Sequence, residues 1–446
     1  MAPTPPGLLY AYYGDDFTGS TDVLEALEMH GVPAVLFTHP PDEREICAFP
    51  GCRAIGIGGE SRSRGPDWMT ENLPDVFASM RSLGAPVNHY KVCSTFDSAP
   101  EVGSIGRAME LGKACFDGEF VPVVVGAPQL RRSVVFGNLF AAAEGAMYRI
   151  DRHPTMRQHP VTPMTEADLR LHLARQTQMK MGLVDLSAFQ AGRAGEQLQS
   201  QLDGGAKAVV FDGCEDAMLD ETARLLWERA IERTLFAVGS SGFTYGLLRH
   251  WRRLGWIRTA PRTAPQAERP PAVDRLLVLS GSCSPITERQ IHRAAQDGFV
   301  ALHLASSEQR EGRQPSKAPW KTLSAQALEA LARGRSVVLY TALGPQPLNP
   351  MNRELGEEFG AALGNCLREL LLISGVRRVV VAGGDTSTHA IQQLGLDALT
   401  FVAPLAPGAP LCRAHAPGSP LDGLQLVLKG GQIGPETFFA QVRDGG

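Results

Sequence analysis

The sequence has no C-x-x-C pair, no phosphate loop of the form G-x-x-x-x-G-K-[ST], no dinucleotide fingerprint G-x-G-x-x-G and no apolar run long enough to span a bilayer. Each absence removes a class. Without paired cysteines or histidines at zinc spacing there is no sign of a zinc module or a dithiol redox centre. Without the glycine fingerprint, a Rossmann-type dehydrogenase lacks its phosphate turn. Positive charge is also in short supply: 43 Lys and Arg stand against 47 Asp and Glu, for a net charge of -4 and a pI near 6.3. Nucleic acid and anionic membranes need a concentrated positive field, so neither is expected as a partner.

What is present is the material of a soluble globular protein, 43% hydrophobic and 20% charged over 446 residues. That length exceeds what one hydrophobic core usually supports, so two or three domains are expected. The eight cysteines, Cys47, Cys52, Cys93, Cys115, Cys214, Cys283, Cys366 and Cys412, are scattered and read as reduced thiols. The start, "MAPTPPGLLYAYYGDD", has neither a basic nor a long apolar segment, and a cytoplasmic protein is expected.

The stretch "WIRTAPRTAPQAERPPAVDRL", Trp256 to Leu276, is proline-rich and without apolar periodicity. Proline blocks ladders and helices alike, so this is linker composition. The expected division is a domain over 1–257, a linker over 258–273 and a domain over 274–446. On either side, short apolar runs alternate with helical periods: "AVLF", "AIGIGG", "VPVVVGA" and "AVVFDG" before the linker, "LLVLSG", "SVVLYTA" and "RVVVAGG" after it. This rhythm predicts an α/β fold of two domains, each a mostly parallel sheet flanked by helices.

Two features stand out at strand ends. "AYYGDDFTGSTDVLEAL" sets Asp15 and Asp16 after an apolar run, where acids can cap a helix or meet a ligand. Thr21 or Asp22 suffices to cap a helix over Val23–Met29, which leaves the pair for chemistry. In the second half, "SGSCSP", "AGGDTS" and "KGGQIG" each place bare backbone N–H groups beside a helix start, an arrangement that binds phosphate oxygens.

Taken together, "GDDFTGSTD", "GGDTSTHAI" and "LKGGQIGPETFF" resemble the four-carbon acid sugar kinase family, in the family's order and from about residue 9 to the end. The resemblance implies an ATP- and Mg²⁺-dependent kinase of small sugar acids with its active site in the interdomain cleft. Asp15 and Asp16 match the family's paired acids, one of them acting as base. Arg62 matches an arginine that meets the substrate carboxylate, and Lys91, Ser94 and Thr95 complete the substrate contacts. On the nucleotide side the matches are Ser282, Gly383, Gly384, Asp385, Thr386, Ser387, Gly408, Gly430, Gly431, Gln432 and Ile433. No metal ligand is assigned. The expected partners are the sugar acid and ATP, with a homodimer left open.

One segment departs from the pattern. After Lys91 the family has an acid and then Ser-Thr-Leu-Arg-Gly, whereas this chain reads Cys93 and then "STFDSAPEVG", losing that acid and that arginine. The wording "KVCSTFDS" resembles the branch acting on 3-oxo-isoapionate, so the substrate is either a tetronate-type acid or that branched, oxidised acid. Two basic segments each have two readings: "GAPQLRRSVVFG" with Arg131 and Arg132 is a basic helix start or a contact to substrate or phosphate, and "YRIDRHPTMRQHPVTPM" with His153 and His159 is a rigid loop between domains or such a contact. The competing classes are a non-catalytic nucleotide or sugar-acid sensor, for which no output module is visible, and an NAD-dependent sugar-acid dehydrogenase, whose fingerprint is missing.

Overall fold

The computed structural model describes residues 7–143, 145–159, 161–257, 269–304, 317–344 and 353–446. Residues 258–268 of the expected linker lie outside that set. The strands in chain order are β1 (Tyr10–Gly14), β2 (Ala34–Phe37), β3 (Ala54–Gly58), β4 (Val87–Lys91), β5 (Val121–Val124), β6 (Arg132–Val135), β7 (Asn138–Ala143), β8 (Ala146–Arg149), β9 (Met181–Val184), β10 (Ala208–Phe211) and β11 (Leu235–Gly239). They continue with β12 (Leu277–Ser280), β13 (Val300–His303), β14 (Val337–Tyr340), β15 (Arg378–Ala382), β16 (Ala398–Ala406), β17 (Ala409–His415) and β18 (Gln425–Lys429).

Contacts divide the chain into two units. The first comprises Met1–Asp15, Ala26–Ala34 and Pro40–Pro261; the second comprises Asp16–Glu25, Val35–His39 and Arg262–Gly446. The chain therefore passes from one unit to the other between Asp15 and Asp16.

In the first unit seven parallel strands run in the order β3-β1-β4-β11-β5-β10-β9. Strands such as "YAYYG" and "AIGIG" are buried at every position, as expected where helices cover both faces. The helix Pro66–Ser82 buries Met69, Leu73, Phe77 and Met80, a helical stripe set against the sheet. Phe77 packs on Phe116 and Phe236 at ring distances of 6.4 and 5.0 Å. Truncating such a ring to alanine costs about 3–5 kcal/mol. From β1 the chain goes first to β3 on one side and later to β4 on the other. That reversal is the switch point at which open α/β sheets bind ligands, outside the carboxyl ends of the strands.

Beside this sheet lies a small antiparallel one, β6-β7-β8. Arg132 opens β6, so the helix start expected there is a strand: its backbone pairs with Ala127 across a tight turn, and its neighbour Arg131 adopts left-handed φ 54°. The segment from Tyr148 to Leu169 belongs to the first unit rather than to a connection between domains.

The second unit holds β13-β14-β12-β15-β18 in parallel, then β17, β16 and β2 joined antiparallel. Leu276, Val278, Val338, Val380, Val427 and Phe438 are among its buried core. The pair β16 and β17 has no counterpart in the expected strands, because "TFVAPLAPGAPLCRAH" is broken by prolines that read as loop. Among the described residues, no helix is long and apolar enough to cross a membrane.

Candidate active site

In the first unit the carboxyl ends of β1, β3 and β4 lie level, Gly14 being in register with both Gly58 and Lys91. The residues that follow each strand therefore gather at one edge. Asp15 is buried there, its N–H donating to the Lys91 carbonyl at 3.0 Å. Arg62 reaches it from a 3₁₀ turn after β3 and donates from Nε and Nη2 to the two Asp15 carboxylate oxygens at 3.2 and 2.8 Å. Such a two-point, charge-assisted pair fixes both side chains. Gly103 lets the next loop close on Arg62: it has left-handed φ 60°, and a Cβ there would stand 2.6 Å from the Arg62 carbonyl oxygen. Lys91 is buried at the end of β4, with half-buried Ser94 and buried Thr95 in the turn beyond it.

Position 93 carries no acid, and a carboxylate, Asp97, stands four residues later in the same turn. Asp97 accepts a hydrogen bond from the Thr95 hydroxyl, and Thr95 also contacts Cys93 Sγ at 3.0 Å. Burial pushes the Asp97 carboxyl upward, but the charge of Arg62 and the His159 ring, with the Thr95 bond, outweigh it and hold the group below its ordinary value. Phe96 makes this possible with left-handed φ 57°, a conformation few non-glycine residues adopt. A motif fixes positions along the chain and not the path of a turn, so this acid is invisible to it.

Asp16 belongs to the second unit, and its two carboxylate oxygens face different neighbours. Oδ1 accepts from the Gly19 N–H at 2.6 Å, so the helix runs from Phe17 to Met29 and is capped by Asp16. The start expected at Val23, with Thr21 or Asp22 as cap, is thus corrected: "FTGST" is weak in helix propensity, but a cap and tertiary packing override it. The other oxygen, Oδ2, lies 3.2 Å from where a Cβ on Gly384 would be.

The three glycine turns expected to hold phosphates do come together. They follow β12, β15 and β18, which are neighbours in the sheet. A Cβ on Gly431 would collide with Ser282, and one on Gly281 with Thr386. Gly383 has φ 119° and lies 3.4 Å, measured from its ideal Cβ, from the Ser282 amide nitrogen. Ser282 and Thr386 are buried, Ser387 is fully so, and Asp385 and Gln432 are exposed. The helix Gly384–Leu394 begins inside the "GGDTS" turn, earlier than its apolar period indicates, so its N-terminal amides open on the same turns as the N-terminus of the helix Pro285–Gln296. Thr287 ties the turns from below: it accepts from Lys429 Nζ at 3.1 Å and donates to the Gly431 carbonyl at 2.7 Å. Lys429 is fully buried, and burial pulls its ammonium down to about 7.

Gly408 and Ile433 meet at the same place, 3.4 Å apart from the ideal Gly408 Cβ. The Gly408 turn is held by Glu25, whose Oε2 accepts its N–H at 2.7 Å. Burial raises the Glu25 carboxyl from 4.5 to about 8, and the neighbouring Asp22 charge adds to the rise. The folded chain thus keeps a proton that the unfolded chain releases, so this group's stabilisation is full below pH 4.5 and is lost as pH rises to about 8. Glu25→Gln keeps an acceptor for Gly408 but cannot ionise. Its Tm, followed by scanning fluorimetry, is expected to fall less between pH 5 and 8 than that of the parent. Parallel curves would remove Glu25 as a buried acid.

Comparison with known proteins finds matches to two family models. Residues 10–247 match the model of a sugar-binding N-terminal domain, and residues 277–439 that of a nucleotide-binding C-terminal domain. A 3-oxo-isoapionate kinase of Paraburkholderia graminis is 45% identical over 99% of this chain and 95% of its own length. A 3-oxo-tetronate kinase of Cupriavidus necator is 30% identical over 96% of this chain and 95% of its own. Among solved structures, a Salmonella typhimurium protein described as a putative tRNA synthase superposes with a TM-score of 0.76 at 24% identity, covering 97% of this chain and 98% of that one, a likeness of fold alone. The chain belongs to the four-carbon acid sugar kinase family.

Proposed function

We propose that this protein is a kinase that transfers the γ-phosphoryl group of ATP to a hydroxyl of 3-oxo-isoapionate or a closely similar branched, oxidised sugar acid. The observation that carries this reading is the much higher identity to the 3-oxo-isoapionate kinase than to the 3-oxo-tetronate kinases. The first unit binds the acid at the β1, β3 and β4 edge; the second cradles the nucleotide phosphates with the Gly281, Gly383 and Gly430 turns. Ser282, Thr386 and Ser387 add hydroxyls, and Gly408 with Ile433 closes the nucleotide side.

In the reaction, the acceptor oxygen forms a bond to the γ-phosphorus as the bond to the ADP oxygen breaks, and the hydroxyl proton passes to a carboxylate. Asp16 is suited to receive that proton, because one oxygen is engaged in the cap and the other is directed at Gly384 in the phosphate turns. Arg62 holds Asp15 in a single geometry beside it in sequence.

Among the described residues, no group of three or more His, Cys, Asp or Glu is placed to hold a metal ion. That fits Mg²⁺, which takes one or two carboxylates and otherwise phosphate oxygens and water. Asp385, exposed in the first turn of the helix at the phosphate turns, is the carboxylate suited to it. The ion supplies neutralisation of phosphate charge.

A coupled ADP-release assay over erythronate, threonate, their 2-oxo and 3-oxo forms and 3-oxo-isoapionate tests the assignment. The highest kcat/KM is expected for 3-oxo-isoapionate. A higher value for 3-oxo-tetronate would reassign the substrate, and binding without ADP release from any acid would favour a sensor.

A further inference from the structure

The first unit carries two arginines at the carboxyl edge of its sheet, and they are in opposite electrostatic situations. Arg62 is surrounded by acids: two of its nitrogens are on Asp15, and its charge also acts on Asp97. Arg132 has none. Among the described residues it forms no ion pair. Its Nη1 donates only to the carbonyls of Leu130, Arg131 and Ala142 at 3.1, 3.2 and 3.4 Å, and its buried Nε has no acceptor. A guanidinium withdrawn from water without a carboxylate is costly, and burial does lower its proton affinity.

The backbone around Arg132 is built to keep it there. Its N–H and carbonyl both bond Ala127, at 3.1 and 2.9 Å, and the next residues pair along β7. At the far end of the hairpin the Asp212 carboxylate accepts from the Phe136 and Gly137 amides at 2.6 and 2.8 Å. Among the described residues, the non-glycine residues with left-handed φ are Phe96, Arg131 and Phe136, and all three lie in the turns at this edge. Strain of that kind persists where the surroundings over-determine a geometry, and it gathers at functional sites.

Arg132 also adjoins the substrate edge. Cys93 acts electrostatically on Arg132, Thr95 donates to Cys93 Sγ at 3.0 Å, and Thr95 bonds Asp97. Arg132 also acts on His153, whose proton affinity burial and the Arg132 charge lower and whose Nδ1 accepts from the Thr155 and Met156 amides. A half-buried cation with an unused donor, held rigidly beside a sugar-binding edge, is shaped for a small anion.

We propose that Arg132 binds the carboxylate of the sugar acid, and that Arg62 is a positioning residue that orients Asp15 instead of contacting that carboxylate. This rests on the kinase reading above. It locates the acid group of the substrate at the β5–β6 turn, with Asp97 left to accept hydrogen bonds from substrate hydroxyls, a polarity suited to a branched polyhydroxy acid.

The test compares Arg132→Met, Arg132→Lys and Arg62→Met in steady-state kinetics on the acid that the parent phosphorylates best, with calorimetry of that acid in the absence of nucleotide. Losing a charge-assisted contact made in ground and transition states alike is expected to raise KM about 10- to 100-fold in Arg132→Met, with kcat within about threefold. Arg132→Lys should recover part of the affinity. Arg62→Met should show the reverse split, a fall in kcat with little change in KM. Circular dichroism and the thermal midpoint control for folding of the first unit, and ADP affinity for that of the second. Parental KM in a folded Arg132→Met that still binds ADP would overturn the proposal alone. If the parent neither binds nor phosphorylates any sugar acid, the kinase reading falls and this one with it.

Discussion

Asp16→Asn is expected to lower kcat by about 10²- to 10⁴-fold, the usual value of a positioned general base. Asparagine is as good an N-cap as aspartate, so the bond from the Gly19 N–H and the start of the helix at Phe17 survive the change. What disappears is the ability of the oxygen facing Gly384 to take a proton. ADP affinity should therefore stay near the parental value, and circular dichroism should be unaltered. Turnover at the parental rate would return Asp16 to a purely capping role. The neighbouring Asp15→Asn separates the two acids: it weakens the ion pair with Arg62 but leaves the phosphate turns of the other unit untouched.

The second large effect is expected at Gly383. Its φ of 119° is closed to L side chains, and a Cβ would stand 3.1 Å from the Thr386 hydroxyl. Gly383→Val must shift the turn and with it the amides that open the helix Gly384–Leu394, so calorimetry should show ADP and ATP binding lost together, since both nucleotides share the cradled phosphates. Mg²⁺ should not rescue it. The series has internal contrast. Gly384→Val places its Cβ 3.2 Å from Asp16 Oδ2, so it should impair turnover as well as binding, whereas at Gly430 the nearest atom is an ordinary 3.4 Å from the Cβ and the loss should be smallest. If folded Gly383→Val binds ADP as the parent does, the phosphate site is not in these turns.

The parallel strands were legible in the sequence because burial on both faces leaves uninterrupted apolar runs, as in "AVVF" and "RVVVA". The glycine turns were legible for a related reason: small residues at strand ends leave the backbone bare. What stayed hidden depends on partners distant in sequence. The helix at Phe17 begins where Asp16 caps it, and nothing in "FTGST" announces that. Asp97 reaches the sugar edge only because Phe96 turns left-handed, which no spacing rule encodes. Glu25 looks like a surface acid on a helix, yet it holds the Gly408 turn nearly four hundred residues away. Lys429 was visible as the first residue of a glycine turn, but its burial beneath Thr287 emerges only when the strands assemble.

The membership of Asp16–Glu25 and Val35–His39 in the second unit bears on how this protein can be recombined. A cut in the proline-rich stretch looks like a clean place to exchange halves between relatives. A fragment beginning there, however, lacks β2, and β16 loses the partners that Phe37 and Leu36 give to Ala398 and Leu399. It also lacks the carboxylate on which the Gly408 amide rests. The exposed ladder edge of β16 invites pairing with other chains. Chimeras joined at the linker should therefore aggregate or bind nucleotide poorly unless the donor of the second half also contributes its own counterparts of residues 16–25 and 35–39. The thread of the chain thus makes the linker alone an insufficient boundary for exchanging the two halves.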